Sequence, residues 1–416
     1  MVRNKKVAFM SETQQHSWPR IFGLFAIGVT AAFLVGKVPA ALPVLRPELG
    51  LTLVEAGLLV SMLSLVAGLA GVLIGALAES FGQRRTALGG LVVGAVAGVA
   101  GSLAQSPAEL LAARALEGIG FFMMSVSLPG LILQLADDRR RQSAMGLWGA
   151  YLPFGAGLIV LVGGVAITEI GWRGLWLAIS AVLAAMILVL LWAAPAPVRN
   201  ATRSRVSLGG IAAAITTTLT SPGAVMLAVT FGCYSGQYLA LTSFVPLILV
   251  EQAQWALPSA AAVAAVVMMA NAVGNILAGL LLDRGLQRAT LVIAAAASMA
   301  VGSILVMTEA LPVAVRLAGA LFFSTFGGMI PGALFAGVRQ HAPSAAHVST
   351  VNGLMLQSVA IGQFIGPALA TYLVSLGGGH WGWSLWYLLP MAARTALAGV
   401  RLGRLERRQK AQSASA

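Results

Sequence analysis

Cysteine is almost absent from this 416-residue chain: Cys233 is the only one, so neither a disulfide framework nor a cysteine metal centre can form. Charge is nearly as scarce. Asp, Glu, Lys and Arg together make up 9% of the residues against 58% hydrophobic, and the mean hydropathy is +0.89. A water-soluble protein of that composition would lack the polar groups to cover its surface, so much of its solvent must be lipid. Histidine is limited to His16, His341, His347 and His380, all at or outside the edges of apolar runs. Paired acids, a His-rich cluster or a nucleophile with its base are missing, which argues against a membrane-embedded enzyme. The glycines, 48 in all, include no Gly-Lys-Ser/Thr phosphate loop. No cofactor or metal is expected, and with no ATP-binding domain in the sequence any active transport is expected to draw on an ion gradient or a partner.

What the chain does have is long apolar stretches. A membrane helix needs roughly 20 apolar residues to cross about 30 Å of hydrocarbon. Charge-free runs cover 56–78, 86–108, 118–136, 142–168, 174–198, 252–282, 289–308 and 317–338, and each is read as one crossing. Two longer runs, 206–250 and 340–393, exceed one span. The first has a polar approach ending at Ser221-Pro222-Gly223 before its helix, and the second breaks at Gly377-Gly378-Gly379-His380 into two helices. With a first helix at 21–45, the reading is an all-α protein of twelve transmembrane helices.

The net charge of +13 is spread singly and in twos and threes between apolar runs, which is topological information rather than a nucleic-acid surface. Short loops rich in Lys and Arg stay cytoplasmic. With the N-terminus inside, Arg20, Arg84, Arg85, Arg199, Arg203, Arg205, Arg284, Arg288 and the arginines from Arg401 onward all fall on the inner side. The outer side holds only Arg46, Arg173 and, near its border, Arg316. Both termini are therefore expected in the cytoplasm. The N-terminal basic residues precede an apolar run without an Ala-x-Ala-like processing site, and so read as a cytoplasmic lead rather than a signal peptide.

A polar segment at 195–222 divides six helices from six. The expected organisation is a cytoplasmic N-terminal segment at 1–20, a six-helix bundle at 21–194, the linker at 195–222, a second bundle at 223–400 and a cytoplasmic tail at 401–416. Two halves of similar design predict an internal repeat. It is visible after the second helix of each: Gly75-Ala-Leu-Ala-Glu79-Ser-Phe-Gly82-Gln-Arg84-Arg85 corresponds to Gly279-Leu-Leu-Leu-Asp283-Arg284-Gly285-Leu-Gln-Arg288.

Gly-x-x-x-acid followed by glycine and paired arginines resembles the loop signature of the major facilitator superfamily. Arg114-Ala-Leu-Glu117-Gly118-Ile-Gly120, Trp172-Arg173 and Gly362-Gln363-Phe-Ile-Gly366-Pro367 are similar to further patterns of that family. The chain departs from them with Glu79 for aspartate, Ser80 for arginine and Glu117 for glutamine. Within the superfamily, the runs Gly36-Lys37-Val-Pro39-Ala-Ala-Leu-Pro43-Val-Leu-Arg46 and Leu147-Trp148-Gly149-Ala150-Tyr151-Leu152-Pro153 look most like the cyanate permease and nitroimidazole transporter group. The resemblance implies a cytoplasmic gate built from Gly75, Glu79, Gly82, Arg84 and Arg85, with Asp283, Arg284 and Arg288 as its second copy. There the carboxylate meets arginines and the positive end of an eleventh helix beginning near Ser349.

Independently of any family, ionisable groups at membrane depth cost several kcal/mol and usually face a protein interior or a wet cavity. Three are read as inside: Lys37, Arg114 and Glu117. At 1.5 Å per residue, Lys37 lies about 12 Å below the outer end of its helix and Arg114 roughly 10 Å below its own, so the two cations share a layer. They are the expected substrate-binding charges for an anion. Glu117, three residues after Arg114, is the expected proton-coupling carboxylate, the alternatives being a structural ion pair for Arg114–Glu117 and a Lys37 that snorkels outward. Tyr234, Gln237 and Tyr238, within one turn near mid-membrane in the second half, are expected to complete the site.

The expectation is a secondary active transporter that moves a small anionic solute across the inner membrane by alternating access, coupled to protons and working as a monomer. Its partners are the small-molecule substrate, the proton gradient and the lipid bilayer, with no nucleic acid. A proton-coupled multidrug or siderophore exporter of the same fold is the alternative.

Overall fold

A computed structural model of the chain describes residues 17–69, 81–136, 141–194, 208–344 and 347–415. Every regular element among them is helical. Among the described residues nine helices are long and apolar enough to cross a membrane, and a shorter apolar one spans Leu53–Leu69.

The helix starts follow from local chemistry. α1 (Ser17–Glu48) runs through Pro39, Pro43 and Pro47. α2 (Leu53–Ser61) opens on a capping box in which the Thr52 hydroxyl accepts from the Glu55 N–H at 3.2 Å and the Glu55 carboxylate accepts from the Thr52 N–H at 2.8 Å. α3 (Gln83–Ser102) follows Gly82, whose φ of 90° is the conformation glycine adopts without strain. α4 (Pro107–Leu135) begins with Ser106 as its cap and proline at the first turn. The charge-free run itself begins only at 118, whereas Arg114 and Glu117, read as inside the membrane, lie within this helix. Arg114 and Glu117 do not end the helix because each is paired inside the protein.

After a short α5 (Arg141–Gly149), α6 (Tyr151–Ala193) is 43 residues long, twice what one crossing needs. Its backbone breaks at Gly171 (φ 68°, ψ 171°), which turns it into two arms. The later elements are α7 (Leu208–Leu219), α8 (Pro222–Thr242), α9 (Val245–Glu251), α10 (Leu257–Asp283), α11 (Arg288–Met307), α12 (Val313–Gly327), α13 (Met329–His341), α14 (Val348–Leu376) and α15 (Leu385–Ser415). α15 falls outside the nine apolar spans, and Arg394 interrupts its apolar stretch.

Packing repeats along the chain. α1 lies on α6, α3 on α4 and α6; correspondingly α8 lies on α14, α11 on α12 and α15. Contacts between the earlier and later elements run along α2 with α14, α6 with α10, and α1 with α9. Backbones also approach closely where α8 crosses α14. A Cβ at Gly362 would sit 2.1 Å from the Gly232 carbonyl oxygen, and one at Gly366 2.3 Å from that of Gly236. Two small-xxx-small faces thus meet backbone to backbone. Gly362→Val is expected to cost about 1–3 kcal/mol by overpacking, read as a fall of several degrees in the melting temperature of the purified protein.

Candidate functional site

The structure brings Lys37, Arg114 and Glu117 into one cluster inside the early helices. Lys37 projects from α1, Arg114 and Glu117 from one face of α4, and their exposures are 0%, 1% and 0%. The Lys37 ammonium pairs with Glu117 Oε1, and Arg114 Nη1 donates to Glu117 Oε2 at 2.6 Å. One carboxylate therefore serves two cations, and the cluster carries a net positive charge. Arg114 Nη1 also donates to the Leu34 carbonyl of α1 at 2.8 Å, and Nε to the Leu59 carbonyl of α2 at 3.2 Å. Its Nη2 is buried and has no protein partner. Lys37 does not snorkel: its amine lies 4.4 Å from the ring centroid of Trp176, a cation–π contact worth about 0.5–2 kcal/mol.

Trp176 links the cluster to one end of the bundle. It meets Trp172 edge-on at 5.4 Å, Trp172 Nε1 donates to Glu48 Oε2 at 2.8 Å, and Glu48 pairs with Arg173. Arg173 in turn donates to the Ala104 carbonyl at 3.1 Å. At this same end Arg46 of α1 pairs with Glu251 at the end of α9, joining the early helices to the later ones. Neither Trp176 nor the Arg46–Glu251 pair is foreseen from the sequence. The spacing of Trp172 and Trp176, one helical turn apart, is the signal that was available for the first.

In the later helices Tyr234 and Tyr238 stack with centroids 5.8 Å apart, between Phe231 and Phe323. Asn271 Nδ2 donates to the Tyr234 hydroxyl at 2.8 Å, and Tyr238 donates to the Met268 carbonyl at 3.3 Å, so both rings face α10. Gln237 turns the other way and donates to Ser303 of α11 at 3.4 Å, leaving its buried Oε1 without a partner. Among the described residues, no hydrogen bond or ion pair joins these three to the Lys37–Glu117–Arg114 cluster.

Of the residues read as a gate, Gly75 and Glu79 lie outside the described residues. Arg84 donates to the Leu191 carbonyl at 3.0 Å, whereas Arg85, Asp283 and Arg284 are exposed. Gly82 and Gly285 share the left-handed backbone (φ 90° and 89°), a structural echo of the sequence repeat. Arg288 is committed elsewhere: it donates to the Ala333 carbonyl at 2.9 Å and pairs with Glu406 of α15, which also meets His341 at 3.2 Å. Burial raises the Glu406 carboxyl, but His341 and Arg288 outweigh it and hold the group below the ordinary range.

A buried charge cluster within a bundle of long apolar helices defines a polytopic membrane protein. The chain belongs to the Major Facilitator Superfamily, whose family model matches residues 24–360. It is similar to the cephamycin export protein of Amycolatopsis lactamdurans (34% identical, over 36% of this chain and 32% of that protein). It is also similar to a methylenomycin A resistance protein of Streptomyces coelicolor (36%, over 25% and 22%) and a probable 4-methylmuconolactone transporter of Cupriavidus pinatubonensis (30%, over 32% of each). The matched stretch thus spans about a third or less of those relatives. Two solved structures share the fold: a bacterial homologue of the human lysosomal transporter Spinster, inward-facing and occupied, and the nucleoside transporter NupG. The first has a TM-score of 0.73 at 15% identity over 93% of this chain and 96% of that one, and the second 0.73 at 11% over 92% and 99%.

Proposed function

We propose that this transporter moves a small anionic solute across the inner membrane, coupled to protons, by rocking bundles 21–194 and 223–400 against each other. The proposal includes twelve crossings, obtained by counting the two arms of α6 separately and adding α2 and α15, with both termini in the cytoplasm and a monomer as the working unit.

The observation that carries the reading is the sharing of Glu117 between Lys37 and Arg114. Two cations with one carboxylate leave a positive charge at membrane depth, where an uncompensated charge is costly and an arriving anion would offset it. Protonation of Glu117 frees both cations at once, so anion binding and proton binding favour the same rearrangement. Such linkage is what symport requires. Tyr234, Gln237 and Tyr238 supply neutral donors from the later bundle, and Arg114 Nη2, buried without a partner, is the spare donor of the cluster. For the gate, Gly75, Glu79, Gly82, Arg84 and Arg85 close the cytoplasmic end with Asp283, Arg284 and Arg288, while Arg46–Glu251 fastens the opposite one.

The likeness of 36–46 and 147–153 to the cyanate permease and nitroimidazole transporter group supports a small solute. A second reading, proton-coupled export of a drug or siderophore, is favoured by the antibiotic export and resistance proteins among the relatives. A thermal-shift screen of the purified protein against small carboxylates and inorganic anions, siderophores and cationic drugs separates them, because a ligand stabilises the state it binds. Shifts with small anions support the first reading; shifts confined to siderophores or cationic drugs overturn it in favour of the second.

A further inference from the structure

The last helix, α15, presents a basic face whose arginines have no ionic partner among the described residues. Its packed side carries Glu406, paired with Arg288, and Gly403, where a Cβ would lie 2.7 Å from Ala289 Cβ on α11. At 100° per residue, Arg394, Leu397, Arg401, Arg404, Leu405 and Arg408 all fall within an arc of about 100° on another side. The four arginines are exposed, and none has a hydrogen bond or ion pair with a described residue. Arg401, Arg404, Leu405 and Arg408 line a cleft of about 320 Å³ against Pro222 and Met226 in the first two turns of α8. Ser221, the residue before α8, gives its hydroxyl to the His341 carbonyl at 3.3 Å and does not cap the helix, so the positive end of α8 adds to the arginines.

Arg394 makes the site more than a solvated basic tail. It lies ten residues inside Arg404, about 15 Å deeper along the helix, in the apolar stretch of α15, exposed and close to Cys233 and Tyr387. An exposed guanidinium there is costly unless it reaches back toward a phosphate layer. Leu397, 62% exposed between Arg394 and Arg401, gives the same face an apolar wall.

We propose that this face binds an anionic phospholipid, its phosphate held by Arg401, Arg404 and Arg408 in the cleft and an acyl chain lying along Leu397 and Met226. Arginine forks match phosphate oxygens bidentately, and basic pockets between membrane helices suit acidic headgroups. Free inorganic phosphate shares the headgroup chemistry but has nothing to lay along Leu397. The leaflet is the cytoplasmic one if the orientation proposed above holds, but binding itself depends neither on that orientation nor on the transported solute.

The test is the melting temperature of the full chain in detergent, with phosphatidylglycerol, phosphatidylcholine or inorganic phosphate added. Phosphatidylglycerol is expected to raise it by about 2–4 °C, with no shift from phosphatidylcholine or phosphate. R401Q/R404Q is expected to lose that shift, while R20Q/R339Q, which removes the same charge from two other exposed arginines, keeps it. An equal shift with phosphatidylcholine, a full shift with phosphate alone, or equal losses in the two double variants would each overturn the proposal.

Discussion

Glu117→Gln is expected to lower the melting temperature more than any other single exchange in the core, and adding Lys37→Met is expected to restore much of the loss. Glu117 is fully buried and is the partner of both Lys37 and Arg114. Replacing it leaves two cations side by side with no anion, and removing one partner of a buried ion pair costs about 3–5 kcal/mol. Glutamine keeps the volume and can still accept from one of them, so the loss reflects charge rather than a cavity. Lys37→Met then removes one cation, keeps the apolar stem against Trp176 and returns the cluster to a single positive charge. The pair should therefore couple by about 1–3 kcal/mol in a double-mutant cycle. Additive effects would mean that the cluster does not act as one electrostatic unit.

Lys37→Ala is expected to weaken binding of the small anion by about tenfold or more, the equivalent of the roughly 1.5–3 kcal/mol that a hydrogen bond to a charged group contributes. The substitution leaves Arg114 neutralised by Glu117, so the net charge that attracts the anion is gone. Lys37→Arg serves as the control. It keeps the charge, and partial retention of affinity would assign the loss to electrostatics rather than to packing against Trp176. Affinity unchanged in Lys37→Ala would exclude the ammonium from the anion site.

Much of the architecture was legible because the rule that makes the fold also writes the sequence: lipid tolerates few charges, so charges mark helix ends. The same rule misleads where a charge is paired inside. Taken alone, the charge-free run would start α4 at 118, but Arg114 and Glu117 are read as inside the membrane and belong to the helix that begins at Pro107. The last charge-free run likewise ends at 393, although the expected bundle reaches 400 and α15 continues through Arg394. Counting depth from the helix ends did predict that Lys37 and Arg114 share a layer, since helical rise is fixed; Glu117 touches both.

Direction around a helix was harder to read than depth along it. Tyr234, Gln237 and Tyr238 are within one turn, yet the tyrosines face α10 and Gln237 faces α11. Only the packing of α8 between those neighbours decides that, and no local pattern encodes it. Contacts between distant loops were similarly invisible. Arg46 and Arg173 were read as topological charges, whereas they pair with Glu251 and Glu48 respectively. The Gly82 and Gly285 repeat, by contrast, was legible because a left-handed turn restricts the residue type.

The most direct test of a proton-coupled anion carrier is accumulation in proteoliposomes under an imposed pH gradient, using the anion that gives the largest thermal shift. Wild-type protein should concentrate it above the external level, and Glu117→Gln should still exchange labelled for unlabelled anion while failing to accumulate it. Undiminished pH-driven accumulation by Glu117→Gln would contradict the role of this carboxylate and with it the account of the cluster.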